Sequence, residues 1–225
     1  GGAGRADPVR GRFPAGYRVS DRTHRTDPDV SLCGLTCVLN GCVRVIATVR
    51  QAFKQLLDRI RPTRITLAVP PVTFVDDDGR EVTVRPHDPE DFDGLVQMYA
   101  TFDPAQRAQG TPPLDAEAIR RWLAGILEGV NVVAVVDGRP VGHISFVPDG
   151  TGRHELAIFV HQEFQHAGIG TELMAAGLGH AKRNGVSYVW LSVESWERGI
   201  QRFYSRAGFA VVNPMGAAHR MSRTL

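Results

Sequence analysis

Apolar residues fall on this chain in two periods, and the points where one gives way to the other mark its elements. Val45, Ile46, Val49, Phe53, Leu56, Leu57 and Ile60 recur at helical intervals, with Arg44, Arg50, Lys54 and Arg59 between them. That spacing predicts one amphipathic helix, which Pro70-Pro71 terminates. Beyond the prolines, Val72–Val75 and residues 81–85 flank Asp78-Gly79 and predict a hairpin. Asp88 before Pro89 is a helix start, and Phe92, Leu95, Val96 and Tyr99 supply the buried face. A second helix carries Ile119, Trp122, Leu123, Ile126 and Leu127.

The period then shortens. Residues 132–136 and 141–147 alternate on either side of Asp137-Gly138, a strong two-residue hairpin signal, and His154–Val160 forms the next strand. Leu173, Met174, Gly177, Leu178 and Ala181 return to helical spacing. A strand at 188–193 follows, then a short helix with Ile200, Phe203, Tyr204 and Ala207 on one face, ended by Gly208. Two last strands fall near 209–212 and 221–225. There is no internal repeat, and strands in succession followed by strand-helix-strand alternation predict an α/β fold, a mixed central sheet with helices on both faces.

The junction from Val160 to Gly170, Val-His-Gln-Glu-Phe-Gln-His-Ala-Gly-Ile-Gly, joins a strand directly to a helix N-terminus. Backbone N–H groups there lack intrahelical partners and sit at the positive end of the helix dipole, so an anion can accept several hydrogen bonds at once. Gly168 and Gly170 leave its approach open. A P-loop would need Gly-Lys-Ser/Thr, but Thr171 and Glu172 follow Gly170; a Rossmann fingerprint would need a small residue where Leu173 stands. Taken alone, the motif is also compatible with an ordinary strand-to-helix turn.

Gln165-x-x-Gly168-x-Gly170 resembles the pyrophosphate loop of the GNAT superfamily of acetyl-CoA-dependent N-acetyltransferases. Phe203-Tyr204-Ser205-Arg206-Ala207-Gly208-Phe209 resembles the C-terminal helix of the same family. The two motifs stand in the family's order and separation, and the likeness extends from about residue 81 to 225. It implies the GNAT fold with an N-terminal extension, divided as a basic arm at 1–42, the amphipathic helix and linker at 43–70, and the acetyltransferase domain at 71–225.

The resemblance also implies a mechanism. In this family the strand before the loop and the next parallel strand splay apart, and the acyl-pantetheine arm of acetyl-CoA lies between them. Carried onto this sequence, the co-substrate contacts are Ile158, Phe159, Val160, Gln165, His166, Ala167, Gly168, Ile169, Gly170 and Thr171. Tyr204 matches the tyrosine that protonates the departing CoA thiolate. Glu155 stands where related enzymes hold a carboxylate that acts through water as the base, and Glu194 is a second candidate. Core packing is the alternative role for Tyr204, and a surface charge for Glu155.

The segment between the first two helices helps to shape the family's acceptor pocket, which points to Phe102, Asp103 and Arg107. There Asp103 could hold an amine and Arg107 a carboxylate; helix capping and solvation are the alternatives. The expected acceptor is a small-molecule or protein amine. Related C-terminal helices often start with an asparagine that touches the co-substrate, whereas Glu197 occupies that place here. This departure keeps open a catalytically silent CoA-binding sensor.

Composition adds limits. The 225 residues are 43% apolar, enough for a packed core. The net charge of +2 hides an asymmetry, with 12 basic against 5 acidic residues in 1–70 and 14 against 19 in the rest. Residues 1–30, rich in Arg, Gly, Pro and Asp, have no apolar period and read as a flexible arm, with nucleic-acid binding not favoured. Cys33, Cys37 and Cys42 lack Cys-x-x-Cys spacing, so no metal is expected. No apolar run approaches the ~20 residues that span a bilayer, and the first residues lack the order of a secretory signal. The expectation is a cytoplasmic protein without membrane insertion, in which the amphipathic helix docks on the domain or pairs with a second copy.

Overall fold

The computed structural model describes residues 64–107, 111–214 and 216–225. The basic arm, the amphipathic helix at 45–60 and the three cysteines lie outside the described residues. Strands β1 (Val72–Val75) and β2 (Glu81–Pro86) pair antiparallel around the predicted turn, with Gly79 at φ 87°. At Asp88 the chain turns into one turn of 3₁₀ helix, Pro89–Asp91, and then into α1 (Phe92–Ala100). Asp88 accepts from the Glu90 N–H at 3.0 Å, and Asp91 accepts from the Asp88 N–H at 2.8 Å, so a reciprocal cap fixes the start. Asp115 caps α2 (Ala116–Ile126) by accepting from the N–H groups of Glu117 and Ala118, without a return bond.

β3 (Val130–Val136) and β4 (Arg139–Pro148) form the second hairpin, with Asp137 at φ 48° and Gly138 at φ 75°. Both central residues are left-handed, as a two-residue turn matching the strand twist requires. β5 (His154–Val160), α3 (Ile169–Arg183), β6 (Tyr188–Glu194), α4 (Arg198–Arg206), β7 (Ala210–Asn213) and β8 (Ala218–Thr224) complete the order. The sheet runs β1-β2-β3-β4-β5-β6-β8-β7. Among the described strands, only β5 and β6 pair in parallel.

Alternation along the strands divides the core between two faces. Val132, Ala134, Ile144, Phe146, Leu191 and Val193 pack with α3, whose Leu173, Met174 and Leu178 are at most 1% exposed. Each such side chain stabilises the fold by roughly 1.5–3 kcal/mol. Val133 packs on the other face, with Leu95 and Tyr99 of α1 and Ile119 and Leu123 of α2. Helix α3 lies close to β4 because Gly177 faces it: a Cβ there would stand 2.7 Å from Ile144 Cγ2. Residues 64–69 run extended along α3, with the Ala68 N–H donating to the Ala175 carbonyl at 3.0 Å and Ile65 buried in the core.

Candidate active site

Between β5 and β6 the sheet opens. The two strands pair at only two positions, His154 with Val189 and Glu155 with Trp190, after which Leu156–Val160 and Leu191–Glu194 diverge. A cleft of about 590 Å³ fills the gap. Ile158, Phe159 and Val160 line one wall, Ser192, Val193 and Glu194 the other. Ile158 and Val160 face α3, whereas Phe159 faces α1 and α2, so the gap is reached from both sides of the sheet.

At the C-terminal end of β5, His161 caps one turn of 3₁₀ helix, Gln162–Phe164, that leads into the glycine loop. His166 adopts φ 63° and Gly168, the N-cap of α3, φ 91°. Among the described residues, no protein group accepts from the N–H groups of His166, Ala167, Gly168, Ile169 or Gly170. Five consecutive unpaired donors at a helix N-terminus form an anion cradle. The Ala167 and Ile169 side chains are buried and anchor the loop from beneath. A Cβ at Gly168 would meet only Asp77 Oδ2, at 3.9 Å, and one at Gly170 only Val160 Cγ2, at 3.8 Å, so there is room at the cradle, with the Asp77 carboxylate at its edge. The diphosphate of acetyl-CoA therefore fits these residues.

Gln165 lines the cleft, but its side-chain amide donates to the Val160 carbonyl at 2.8 Å and to Gln106 Oε1 at 2.6 Å. Its role visible here is to tie the loop to β5 and to the segment after α1. Thr171, in the first turn of α3, bonds back to the Gly168 carbonyl.

Tyr204 of α4 lines the cleft opposite this loop, its ring packed on Phe203 and Phe209. Burial pushes its phenol up to about 12, so it holds its proton at neutral pH. Glu194 lines the cleft as well. Glu155 lies outside the lining, at the foot where β5 and β6 still pair. Its side chain is exposed, and local desolvation raises its carboxyl above the ordinary value against the pull of Arg220.

The residues expected to meet the acceptor separate. Phe102 and Arg107 line the cleft; Asp103 does not. The Asp103 carboxylate accepts from the Ala105 N–H at 2.9 Å and caps the 3₁₀ turn Pro104–Gln106. Arg107 Nε donates to the Pro112 carbonyl. Trp196 and Ile200, which were not assigned to the site from the sequence, complete the lining with Glu197, Ala105 and Gln106.

Two supporting networks were also missed. Tyr99 Oη is 2.7 Å from His143 Nδ1, and His143 Nε2 is 3.0 Å from Asn131 Oδ1. Asn131 Nδ2 donates to the carbonyls of Ile126, Leu127 and Gly129, so its oxygen must face His143. His143 thus donates through Nε2 and accepts the Tyr99 hydroxyl at Nδ1. Burial lowers its pKa to about 3, which keeps it neutral. Tyr99 in turn meets Phe159 edge-on, with ring centroids 5.5 Å apart, and fixes one wall of the cleft. On the far side, Arg80 donates to the Glu163 carbonyl and stacks on Phe164, while the Asp77 N–H donates to the Ala167 carbonyl. The β1–β2 turn therefore braces the glycine loop.

A parallel strand pair that splays beside an N–H cradle, with a tyrosine facing the gap, defines a class of acyl-CoA-binding folds. Residues 94–209 match the Acetyltransferase (GNAT) family, and the chain belongs to it. Over 97 residues, 42% of this chain, it is 34% identical to a mycothiol acetyltransferase of Propionibacterium freudenreichii subsp. shermanii, of which the match covers 28%. The chain spans less than half the length of the curated relatives it matches. The GNAT domain of S. lividans PAT has the same fold, with a TM-score of 0.59 at 19% identity over 68% of this chain and 96% of that one. So does yncA, a putative acetyltransferase of Salmonella typhimurium solved with acetyl-CoA, with a TM-score of 0.53 at 21% identity over 64% and 94%. Among the described residues, no helix is long and apolar enough to cross a membrane, and no cluster of side chains suits a metal ion.

Proposed function

We propose that this protein is an N-acetyltransferase that moves the acetyl group of acetyl-CoA onto a primary amine by direct attack in a ternary complex. The observation that carries this reading is the run of five unpaired N–H groups at the start of α3, next to the mouth of the β5–β6 gap. Diphosphate held in the cradle would lead the pantetheine arm into the gap along Ile158 and Val160. Orienting the thioester in this way removes much of the entropic barrier to attack.

The amine must first lose a proton, since an ordinary lysine-type ammonium has a pKa of about 10.4. A carboxylate takes that proton, the amine nitrogen then bonds to the thioester carbon, and the carbon–sulfur bond breaks. A backbone N–H on the diverging edge of β5 stabilises the oxyanion, a contact worth roughly 3–4 kcal/mol. Tyr204 gives its proton to the departing sulfur, so CoA leaves as the thiol, and the second proton that the nitrogen sheds as the amide forms restores the phenol. Glu155 serves as base through water, helped by a carboxyl already raised by local desolvation. Glu194 is the competing base, favoured by its place in the cleft wall. The acid limb of the kcat/KM profile decides between them: it shifts in Glu155→Gln if Glu155 is the base, and in Glu194→Gln if Glu194 is.

A second reading, a silent CoA-binding module, rests on Glu197, which begins α4 without a side-chain capping bond where the family often has asparagine. Thiol release with an amine panel tests the two. Release that is lost in Tyr204→Phe and Gly168→Asp supports the enzyme; CoA binding without release under any acceptor supports the module.

A further inference from the structure

The half of the cleft that faces α1 and α2 has a chemistry of its own, and it narrows the class of acceptor. Phe102 and Phe159 form one wall, with ring centroids 5.9 Å apart and planes at 88°. Tyr99 and Trp122 hold Phe159 edge-on from behind, at 5.5 and 5.9 Å. That wall is rigid before any ligand arrives. Glu194, Trp196 and Glu197 line the same cleft. Trp196 is 65% exposed, an unusual cost for the largest apolar side chain unless something covers it. Neither carboxylate has a partner among the described residues.

Among the described residues, the one cation in the lining is Arg107, whose Nε is held by the Pro112 carbonyl. The mouth therefore presents two unpaired negative charges against one tethered positive charge, between aromatic surfaces. Such a site attracts an ammonium group through Glu194 and Glu197 and sandwiches a flat apolar body against Phe102, Phe159 and Trp196. A carboxylate next to the amine would face both glutamates and be repelled.

We propose that the acceptor is an arylalkylamine-type substrate, a primary amine on an aromatic body with no carboxylate beside the nitrogen. This rests on the acetyltransferase reading, and one assay separates the two. Initial rates of CoA thiol release are measured with acetyl-CoA and 2-phenylethylamine, propylamine or phenylalanine as acceptor. The expected result is a kcat/KM for 2-phenylethylamine at least tenfold above each of the others. In Trp196→Ala, the ratio of kcat/KM for 2-phenylethylamine to that for propylamine should fall about tenfold.

If phenylalanine is the better acceptor, Arg107 reads a carboxylate and the proposal is overturned while acetyl transfer stands. If propylamine matches 2-phenylethylamine, or Trp196→Ala affects both acceptors alike, the aromatic wall does not select and the proposal also fails. Release with no amine, despite CoA binding, overturns both the proposal and the catalytic reading beneath it.

Discussion

Replacing Gly170 by alanine should strengthen the fold and weaken the site, two effects that a purely structural glycine would not show together. Gly170 is the second residue of α3, and a Cβ there meets nothing nearer than Val160 Cγ2 at 3.8 Å, an ordinary contact. Alanine gains up to about 1 kcal/mol of helix propensity over glycine. For a chain of this size that raises the melting temperature by roughly 2–4 °C. The same methyl stands beside N–H groups that no protein atom uses. Displacing a phosphate oxygen from one of them loses a charge-assisted bond of about 1.5–3 kcal/mol, or roughly 10- to 150-fold in Kd. Gly168→Ala is the contrast: at φ 91° an L side chain costs about 1–2 kcal/mol, so this variant should melt lower. Calorimetric titration with CoA and thermal melting without it read the two quantities independently. An unchanged Kd in Gly170→Ala would refute the assignment of this turn to diphosphate.

Tyr204→Phe should lower kcat by roughly 100-fold or more, the usual worth of a positioned acid. Its melting temperature should stay within about 2 °C of the parent, because the hydroxyl has no protein partner among the described residues. With the phenol at about 12, no alkaline limb of the kcat profile should appear below about pH 10. His143 makes the fold acid-sensitive: its folded pKa of about 3 lies below the ordinary 6.5, so its contribution is complete above 6.5 and is lost as pH falls toward 3. That amounts to about 4–5 kcal/mol across the window, on the order of 1.36 kcal/mol per pH unit. Urea titrations at pH 7 and 4.5 cover about two units of that window and should differ by roughly 2.7 kcal/mol, and a flat profile would count against a buried neutral imidazole. Gly179→Ala should destabilise by about 1–3 kcal/mol, since its Cβ would lie 1.8 Å from the Ala68 carbonyl oxygen and force residues 64–69 off α3. Exposure of the Ala68 amide to hydrogen exchange reports that detachment.

What the sequence reveals of this fold follows locality. Asp137-Gly138 names its own turn, and His154–Val160 is bounded by polar residues, so both emerge from patterning with little error. Asp88-Pro89 was legible as a cap, and Asp103-Pro104 carries the same signature; reading it consistently would have assigned Asp103 to capping from the start. His143 is different. It interrupts the apolar series of β4 on the face covered by α1 and α2, and alternation alone cannot say that both faces of a strand are covered. Arg80 reaches a carbonyl 83 residues away, and nothing near position 80 announces the partner. The level of Glu155 below the cleft is likewise set by where β5 and β6 part, a property of two strands and not of either one.

That parting has a cause in the pairing itself. β6 pairs with β8 along its full length, from Tyr188 with Thr224 to Glu194 with Ala218, whereas β5 pairs with β4 along all seven of its positions. Each strand is thus committed to its outer neighbour, and the sheet twist carries the two halves apart beyond Glu155 and Trp190. The open edges leave backbone donors and acceptors to water or a ligand, apart from the Val160 and Glu194 carbonyls, which accept from Gln165 and Gln201. Alternation then assigns the approach: Val160 and Tyr204 stand on the α3 side, Phe159 and Glu194 on the other. In the proposed reaction, two substrates entering from opposite faces of one sheet would meet in the gap without competing for the same wall. A direct transfer needs that geometry, because the attacking nitrogen must reach the thioester carbon along a line the pantetheine arm does not block.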